Sequence, residues 1–336
     1  MKRTLWMLLA VLLLGGGAWW MTQMQEDKAT SLAGADRAFA VPREQVFKVF
    51  LADRNGNKTT LTREKDGWRY NGKHKARPDA IENLLSAIDQ VQMRFKPSDA
   101  AVPNMVKTLA SHGIKVEIYG KNDDLLKAYY IGGGTSDERG THIIIEGAEQ
   151  PYVAELPNWE GNIRFRYSLI GDDWRDRTLF GCPYEKVALV SVEYPKQQDK
   201  SFVVDFRSNS AGEVVPFYPL SPRKQAPLKP GSLDAFRGNF ESVIAAGFNN
   251  ENREKTAILQ QVPFAVITLE DTDQQRVSVT LFPIYPKPFT DPKTGVTIQP
   301  EEVTSYYAYT QDDDFMIVQD QVIGKVLWAY DFFFAE

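Results

Sequence analysis

The two halves of the chain repeat one succession of predicted elements, and this recurrence constrains the fold more than any other feature. In each half, short strands come first, a helix follows, and further strands complete the series. The best match is between "PYVAELPNWEGNIRFRY" and "DFMIVQDQVIGKVLWAY". The positions that align there without a gap are Tyr152, Gly161, Ile163, Phe165 and Tyr167 with Phe315, Gly324, Val326, Trp328 and Tyr330. The sequence predicts an α+β fold, a tandem duplicated unit of mainly antiparallel β-sheet with one or two helices in each copy.

The first copy is predicted to span residues 41–170. It begins with "VFKVFLADRNGNKTTLTREKDGWRYNG", which alternates in polarity and indicates an antiparallel meander with turns at "RNGN" and "EKDG". Pro78 opens the predicted helix "PDAIENLLSAIDQVQ", and a second helix, "NMVKTLASHG", stops at Gly113. Strands are predicted at "IKVEIYG", "LLKAYYIGG", "THIIIEG" and "PYVAEL".

The second copy is predicted to span residues 184–336, after a junction at residues 171–183. Its segment "LDAFRGNFESVIAAG" matches the first helix, with Phe236, Phe240 and Val243 over Ile81, Leu85 and Ile88. It also carries a Pro-rich insert, residues 283–301, which we expect to be an exposed extended loop.

An apolar run occupies the N-terminus. Between the basic pair Lys2 and Arg3 and the acidic residue Glu26, the segment 5–24 has about the 20 residues that a helix needs to cross a membrane. It predicts a single transmembrane anchor at residues 1–24, with the basic end in the cytoplasm and Trp19 and Trp20 at the far interface. The alternative is a cleaved signal peptide with a small-residue cleavage site near Ala18. Residues 25–40 are predicted to be a linker, and either interpretation predicts a body that faces the periplasm from the inner membrane.

Charge and cysteine content exclude some classes of function. The net charge of −5 over 336 residues argues against a nucleic-acid partner, which would favour a basic face. The single cysteine, Cys182, excludes an internal disulfide, and its position beside Pro183 favours a buried packing role.

The segment "GGGTSDERGTHI" has the composition of a phosphate-binding loop. Such a loop needs a helix after its glycines, whereas Gly132–Gly134 precede the β-branched stretch "THIII". The sequence therefore predicts a wide turn or bulge between antiparallel strands.

Metal and catalytic patterns are weak. Asp53, Asn55, Asn57 and Glu64 stand at calcium-loop positions, but Lys58 replaces the required glycine, so an Asn-Gly hairpin is the better interpretation. The three histidines have no partner at metal-ligand spacing, and no G-x-S-x-G occurs. We expect no cofactor, no metal and no enzymatic activity.

A charged strip resists a purely structural interpretation. The segment "GDDWRDRTLF" places an aromatic residue among alternating charges at the junction of the two copies. The candidate binding residues are Asp173, Trp174, Arg175, Asp176 and Arg177, with Trp159 from "NWEGNIRFR" added to them. The strip could lock the two copies through ion pairs and a cation–π contact, or it could dock a partner or ligand.

The chain also resembles a membrane-anchored domain-of-unknown-function family common in Bacteroidota. The resemblance lies in the N-terminal anchor and in "REQVFKVFL", "LTREKDGWRYNG", "PDAIENLLSAI", "IKVEIYG", "YYIGGGTSDERGTHI", "PYVAELPNWEGN" and "DWRDRTLF". It implies placement at the membrane and a link to gliding-motility-type auxiliary subunits of ABC transport systems. It implies no catalytic residue.

These patterns together predict a non-enzymatic accessory or scaffold protein of the inner membrane, with protein partners there or in the periplasm. An envelope glycan- or lipid-binding module that uses Trp68, Trp159 or Trp174 is the alternative. A cryptic hydrolase is a third hypothesis, which requires a deep pocket with a histidine or paired carboxylates.

Overall fold

The computed structural model describes residues 38–207, 212–290, 292–298 and 302–335. Contacts divide the chain after Asp176 into unit 1, which ends there, and unit 2, which begins at Arg177. The predicted membrane anchor and most of the predicted linker lie outside the described residues. Within the described ranges, no helix combines the length and the apolar character that crossing a membrane requires.

Unit 1 is built on one antiparallel sheet whose strand order is β4-β3-β2-β1-β6-β7-β8-β9-β5. Its strands are β1 (Lys48–Ala52), β2 (Lys58–Glu64), β3 (Gly67–Tyr70), β4 (His74–Lys75), β5 (Gln92–Phe95), β6 (Ile114–Tyr119), β7 (Leu125–Gly134), β8 (Thr141–Ile145) and β9 (Tyr152–Glu155). Its helices are α1 (Pro78–Gln90) and α2 (Val102–His112). The predicted helices, strands and meander turns of this unit are confirmed within a few residues.

Helix α1 forms where the sequence favours it. Pro78 stands in its first turn, where the missing N–H costs no hydrogen bond, and Asp79 places negative charge near the helix N-terminus. Its apolar side chains recur at helical spacing, so one face is buried. That face, including Leu84 and Ile88, packs on the core formed by alternate residues of the sheet.

The glycine-rich segment joins two antiparallel strands, as predicted. Gly132–Gly134 end β7, and residues 135–140 turn the chain into β8. The pairing register shifts between Ile131 and Gly134, which is the predicted irregularity. Because a strand and not a helix follows, the segment has no phosphate-binding geometry.

Unit 2 is built on a second antiparallel sheet, ordered β13-β12-β11-β16-β17-β20-β21-β15. Its strands are β10 (Thr178–Phe180), β11 (Val187–Glu193), β12 (Phe202–Asp205), β13 (Glu213–Pro216), β14 (Val243–Ile244), β15 (Gly247–Phe248), β16 (Ala265–Asp271), β17 (Arg276–Ile284), β18 (Phe289–Thr290), β19 (Thr297–Ile298), β20 (Ser305–Thr310) and β21 (Phe315–Gln319). Its helices are α3 (Ser232–Gly238), α4 (Lys255–Leu259) and α5 (Asp320–Ile323). Strands β10 and β14 form a separate pair, as do β18 and β19.

From β3 and β13 onward the two long sheets have the same strand order. Strand β4 extends only the sheet of unit 1, and the β18–β19 hairpin falls inside the Pro-rich insert of unit 2. The start of that insert differs from the predicted loop, because Pro283 and Ile284 pair with β20 at the end of β17. Tyr285 and Val296, farther into it, are exposed as expected.

Two details of the predicted alignment between the halves are wrong. Tyr152 lies opposite Ile143 in its sheet, whereas Phe315 lies opposite Tyr309, so the strands match with a shift of one residue. The shift moves Phe315 away from the main core of unit 2 and into a small cluster with Phe282.

The helix alignment is shifted as well. The backbone N–H of Arg77, directly before α1, donates to the Trp174 carbonyl, and that of Lys229, three residues before α3, donates to the Phe333 carbonyl. These bonds match Phe236 to Leu84 instead of Ile81. The shift is less than one helical turn, so buried positions fall on buried positions and the sequence pattern does not reveal it.

The predicted linker and junction are not separate segments throughout. Phe39, near the end of the predicted linker, is buried and meets Tyr129 and Tyr152 edge to face. Within residues 171–183, Trp174 belongs to the core of unit 1 and Phe180 to that of unit 2. These rings are large and apolar, so burial stabilises them more than exposure in a linker would.

Candidate binding surface

Trp174, the aromatic residue of the predicted strip, is fully buried, with 0% of its surface exposed. Its indole Nε1 donates to the Leu169 carbonyl at 2.8 Å, so its polar atom has a partner. The ring is a core element of unit 1 and offers no face to a ligand. This geometry favours a structural role for the residue at the centre of the strip.

Trp174 and Phe333 close their units in the same way. A short 3-10 turn ends at each of these two residues. The backbone carbonyl of each accepts an N–H group at 2.8 Å, from Arg77 before α1 and from Lys229 before α3. The next residues, Arg175 and Phe334, form antiparallel bridges with Ala76 and Leu228. The "GDDWR" stretch of unit 1 is therefore the counterpart of "YDFFF" in unit 2.

The charged residues of the strip divide between the units. Arg175 is buried and pairs with Asp172 at 3.2 Å, and the Asp176 N–H donates to the Lys75 carbonyl. Asp173 is exposed. Arg177 belongs to unit 2, where its guanidinium donates to the Ala246 carbonyl.

Trp159 is the exposed aromatic member of the predicted set, with 41% of its surface accessible. Phe165, which sequence reasoning did not single out, is 46% exposed, and the two ring centroids lie 5.5 Å apart. The Arg166 guanidinium lies over both rings, 4.7 Å from the Trp159 centroid and 5.2 Å from that of Phe165. We call these three residues the aromatic–arginine patch.

The patch is held on the scaffold of unit 1. Arg166 reaches α1, where it donates to the side-chain oxygen of Asn83 at 3.1 Å and to the Asn83 carbonyl at 3.3 Å. Burial lowers the pKa of Arg166 from the ordinary arginine value, but arginine remains charged at neutral pH. A cation is thus fixed against two exposed rings, which favours contact with an acidic or aromatic surface.

Unit 1 contains a cavity of about 180 Å³, and some of the residues that line it are close to the patch in the sequence. Its polar wall includes Asp53 and Asn57 from the β1–β2 turn and Arg164 from the 3-10 turn that also carries Phe165 and Arg166. Arg164 donates to the Ile131 carbonyl at 3.0 Å and to the His112 carbonyl at 2.7 Å. Burial lowers the pKa of Arg164 from its ordinary value.

Asp53 is held by its own turn. Its Oδ1 accepts the N–H groups of Asn55 and Asn57, each at 2.9 Å, and its Oδ2 accepts the Asn57 amide at 2.7 Å. Burial alone would raise the pKa of Asp53, but these hydrogen bonds and the positive charge of Arg164 together hold it below the usual value. The wall therefore carries one anion and one cation. The segment around Asp53 forms the predicted hairpin between β1 and β2, with strands and not helices on both sides.

The remaining chemically reactive residues are dispersed. His74 lies on β4, His112 ends α2 and His142 lies on β8. Burial lowers the pKa of His142, which favours its neutral form. Cys182 is buried as predicted, and burial raises the pKa of its thiol. Among the described residues, no group of three histidine, cysteine or acidic side chains could hold a metal ion.

No protein-family model, no curated protein and no solved structure matches this chain. The resemblance drawn from the sequence motifs therefore stays a prediction.

Proposed function

We propose that the protein is a non-enzymatic accessory or scaffold protein that binds a protein partner through the aromatic–arginine patch of unit 1. The observation that carries this proposal is the exposure of Trp159 and Phe165 beside the braced guanidinium of Arg166. Large rings left in water are energetically unfavourable unless a partner covers them. Tryptophan and arginine are also the residue types that most often dominate binding energy at protein interfaces.

The proposed setting is the outer face of the inner membrane. The apolar run at residues 5–24 supports an N-terminal transmembrane helix, and the basic pair before it supports a periplasmic body. The partner is then a protein of the inner membrane or periplasm. An ABC-type transport or motility complex is the partner that the resemblance to the Bacteroidota family suggests.

The proposed body consists of two tandem copies of one α+β unit. The shared strand order of the two long sheets supports a duplication. In this proposal unit 1 carries the partner-binding surface, because the residue of unit 2 aligned with Phe165 is Trp328. That ring packs against Phe236 and Phe333 at 5.3 and 5.1 Å, within the aromatic cluster of unit 2.

Affinity purification from detergent-solubilised membranes, followed by mass spectrometry, tests the partner. We expect wild-type protein to recover a reproducible companion, and Trp159→Ala combined with Phe165→Ala to lose it. Phe332→Ala is the matched control, since Phe332 is an exposed ring of unit 2 with the Lys229 ammonium 4.7 Å from its centroid. A wild-type protein without companions contradicts the scaffold role, and equal loss in the control contradicts the patch.

The proposed periplasmic location of the body is tested separately. A periplasm-active reporter fused to the C-terminus should be active, and a cytoplasm-active reporter in the same position should be inactive. The reverse result contradicts both the location and the anchor.

A second candidate function is an envelope glycan- or lipid-binding module. Among the tryptophans named for it, Trp174 is buried, and Trp68 is partly buried with the Arg63 guanidinium 5.3 Å from its ring. Trp159 is the one whose exposure suits stacking against a sugar ring. Retention on immobilised glycan that Trp159→Ala abolishes would favour this candidate over a protein partner.

A further inference from the structure

The pairing registers make unit 2 an internal reference for unit 1. Leu51 pairs with Thr59 across β1 and β2, and Val192 pairs with Phe202 across β11 and β12. On their other sides, Leu51 pairs with Val116, the third residue of β6, and Val192 pairs with Ile267, the third residue of β16. Thr59 and Phe202 therefore occupy matched positions.

Two more positions match by the same registers. Asp53 lies two residues beyond Leu51, as Tyr194 lies two residues beyond Val192. Gly113 directly precedes β6, and Phe264 directly precedes β16. Unit 1 thus has a threonine, an aspartate and a glycine where unit 2 has three aromatic residues.

The aromatic residues fill this end of unit 2. Phe202 is fully buried, and its ring centroid lies 5.4 Å from that of Phe236 and 4.9 Å from that of Phe333. Tyr194 is also buried and meets Phe264 edge to face at 5.7 Å. Its hydroxyl donates to a backbone carbonyl at 2.8 Å, so the polar atom has a partner.

The same end of unit 1 holds the cavity of about 180 Å³. Asp53 and Thr59 line it, together with Leu51 and Ile114 from the central strands. Small side chains at positions that could hold rings forfeit packing that would stabilise the unit. This difference from unit 2 indicates that the cavity of unit 1 has a binding function.

The wall chemistry selects a neutral ligand. Asp53 and Arg164 contribute opposite charges, which cancel. Two of the five N–H groups of Arg164 already donate to backbone carbonyls, which fixes the guanidinium in the wall beside the opposite charge of Asp53. Asp53 already accepts three hydrogen bonds, which leaves its carboxylate better suited to a hydroxyl than to a second full charge.

The remaining wall mixes donors, acceptors and apolar surface. Asn55, Asn57, Thr59 and Ser168 supply amides and hydroxyls, and apolar side chains lie between them. A cavity of about 150 Å³ holds a benzene ring, so this one accommodates a single six-membered ring with substituents. We propose that the cavity of unit 1 binds a neutral, hydroxyl-bearing ring, namely one sugar residue. The inference does not depend on the protein partner.

Saturation-transfer NMR on the full-length chain tests this inference, in a detergent whose head group contains no sugar. The neutral probes are D-glucose, D-galactose and N-acetyl-D-glucosamine. The charged probes are D-glucuronate and D-glucosamine, which keep the ring and add a negative or a positive charge. We expect saturable binding of at least one neutral probe, and affinities for the charged rings that are about tenfold lower, as the loss of one good hydrogen bond would give.

Variants locate the binding. Thr59→Phe installs the residue of unit 2 and should abolish binding, while Asp53→Asn should weaken it by about tenfold. Asp271→Asn is the matched control, because Asp271 Oδ1 accepts the N–H groups of Asp273 and Gln275 at 2.9 and 2.8 Å, in the pattern of Asp53. It should leave binding unchanged.

Binding that persists in folded Thr59→Phe overturns the proposal, as does preference for a charged ring or no binding of any neutral probe. If Thr59→Phe does not fold, Asp53→Asn against Asp271→Asn decides. Binding lost in Trp159→Ala but kept in Thr59→Phe would assign the sugar to the aromatic–arginine patch, which also overturns the proposal.

Discussion

Unit 1 and unit 2 order the strands of their long sheets alike, yet they finish the same end of the sheet with different chemistry. Unit 2 fills that end with the buried rings of Tyr194 and Phe202. Unit 1 has Asp53 and Thr59 there, beside a cavity. The comparison separates the strand order, which both units share, from the side chains at this end of the sheet, which differ between them.

The buried centres differ as well. The Tyr129 and Tyr167 hydroxyls meet at 3.2 Å inside unit 1, where both rings are buried. By sheet register, the position of Tyr129 is held in unit 2 by Val279. One member of the hydroxyl pair in unit 1 therefore corresponds to an aliphatic side chain in unit 2.

The largest effect should come from the closing rings. We expect Trp174→Ala and Phe333→Ala each to cost about 3–5 kcal/mol of unfolding free energy, since each removes a fully buried aromatic side chain. Hydrogen exchange read by mass spectrometry should show faster exchange in unit 1 for the first variant and in unit 2 for the second. Trp159→Ala is the exposed control and should cost far less. Costs below about 1 kcal/mol would contradict the role of the two rings as buried closing elements.

The tyrosine pair should come next. Tyr129→Phe leaves the Tyr167 hydroxyl buried and removes its hydrogen-bond partner, so we expect a loss of about 1–3 kcal/mol. Replacing both residues by phenylalanine should cost less than the sum of the single changes, because no hydroxyl is then left unpaired. Chemical denaturation of the four proteins in the cycle measures this coupling. Strict additivity would mean that the hydroxyl contact contributes nothing.

A smaller, pH-dependent effect should mark the polar end of unit 1. The pKa of Asp53 is lower in the folded chain, so its ionised form stabilises the fold above the unfolded value of about 4. Asp53→Asn should cost about 1 kcal/mol at pH 7. The difference from wild type should shrink as the pH falls through the folded pKa. Thermal unfolding from pH 7 to pH 3 measures it, and a difference independent of pH would contradict the assignment.

The smallest effect concerns a side-chain contact, the tether, that joins a 3-10 turn to a helix in each unit. The turns are Arg43–Gln45 and Tyr184–Lys186, and the helices are α1 and α3. In unit 1 Arg43 pairs with Glu82, and at the matched positions of unit 2 the Tyr184 hydroxyl donates to Asp234 at 2.7 Å. Glu82→Gln should cost less than about 1 kcal/mol. The cost should fall in 1 M salt because exposed charges are screened.

Asp234→Asn is the matched variant of the tether. A neutral hydroxyl donor depends less on ionic strength, so its cost should change less with salt. Thermal unfolding at low and high salt compares the two variants. Equal salt dependence would show that the tethers are not distinguished by charge.

Much of the fold could be predicted from the sequence because local patterns determine it. The alternation in "VFKVFLAD" and the spacing of Ile81, Leu84 and Ile88 each reflect one buried face. The halves also align at Ile163 and Val326, which are both fully buried. Register was harder: the alignment of Tyr152 with Phe315 is wrong by one residue, because these two strands bury consecutive residues and so lack the alternation that fixes register.

The candidate site could be predicted only in part. The sequence pattern identifies Trp159 but not Phe165, because the sequence alone does not distinguish an exposed ring from a buried one. Trp174 was named for its charged neighbours, although the ring itself is buried. The cavity depends on which strands pair, and the contrast of Asp53 with Tyr194 has meaning only once the registers are known.

The closing rings also determine when each unit can be completed during synthesis. Phe39 and Trp174, near the two ends of unit 1, belong to a single core, so this core cannot be finished until nearly all of the unit has emerged from the ribosome. A chain that stops at Leu169 lacks both the Trp174 ring and the Trp174 carbonyl that accepts the Arg77 N–H, and it leaves apolar surface open to water. Domains generally fold as whole units during synthesis, and this one can do so only after its last turn is made.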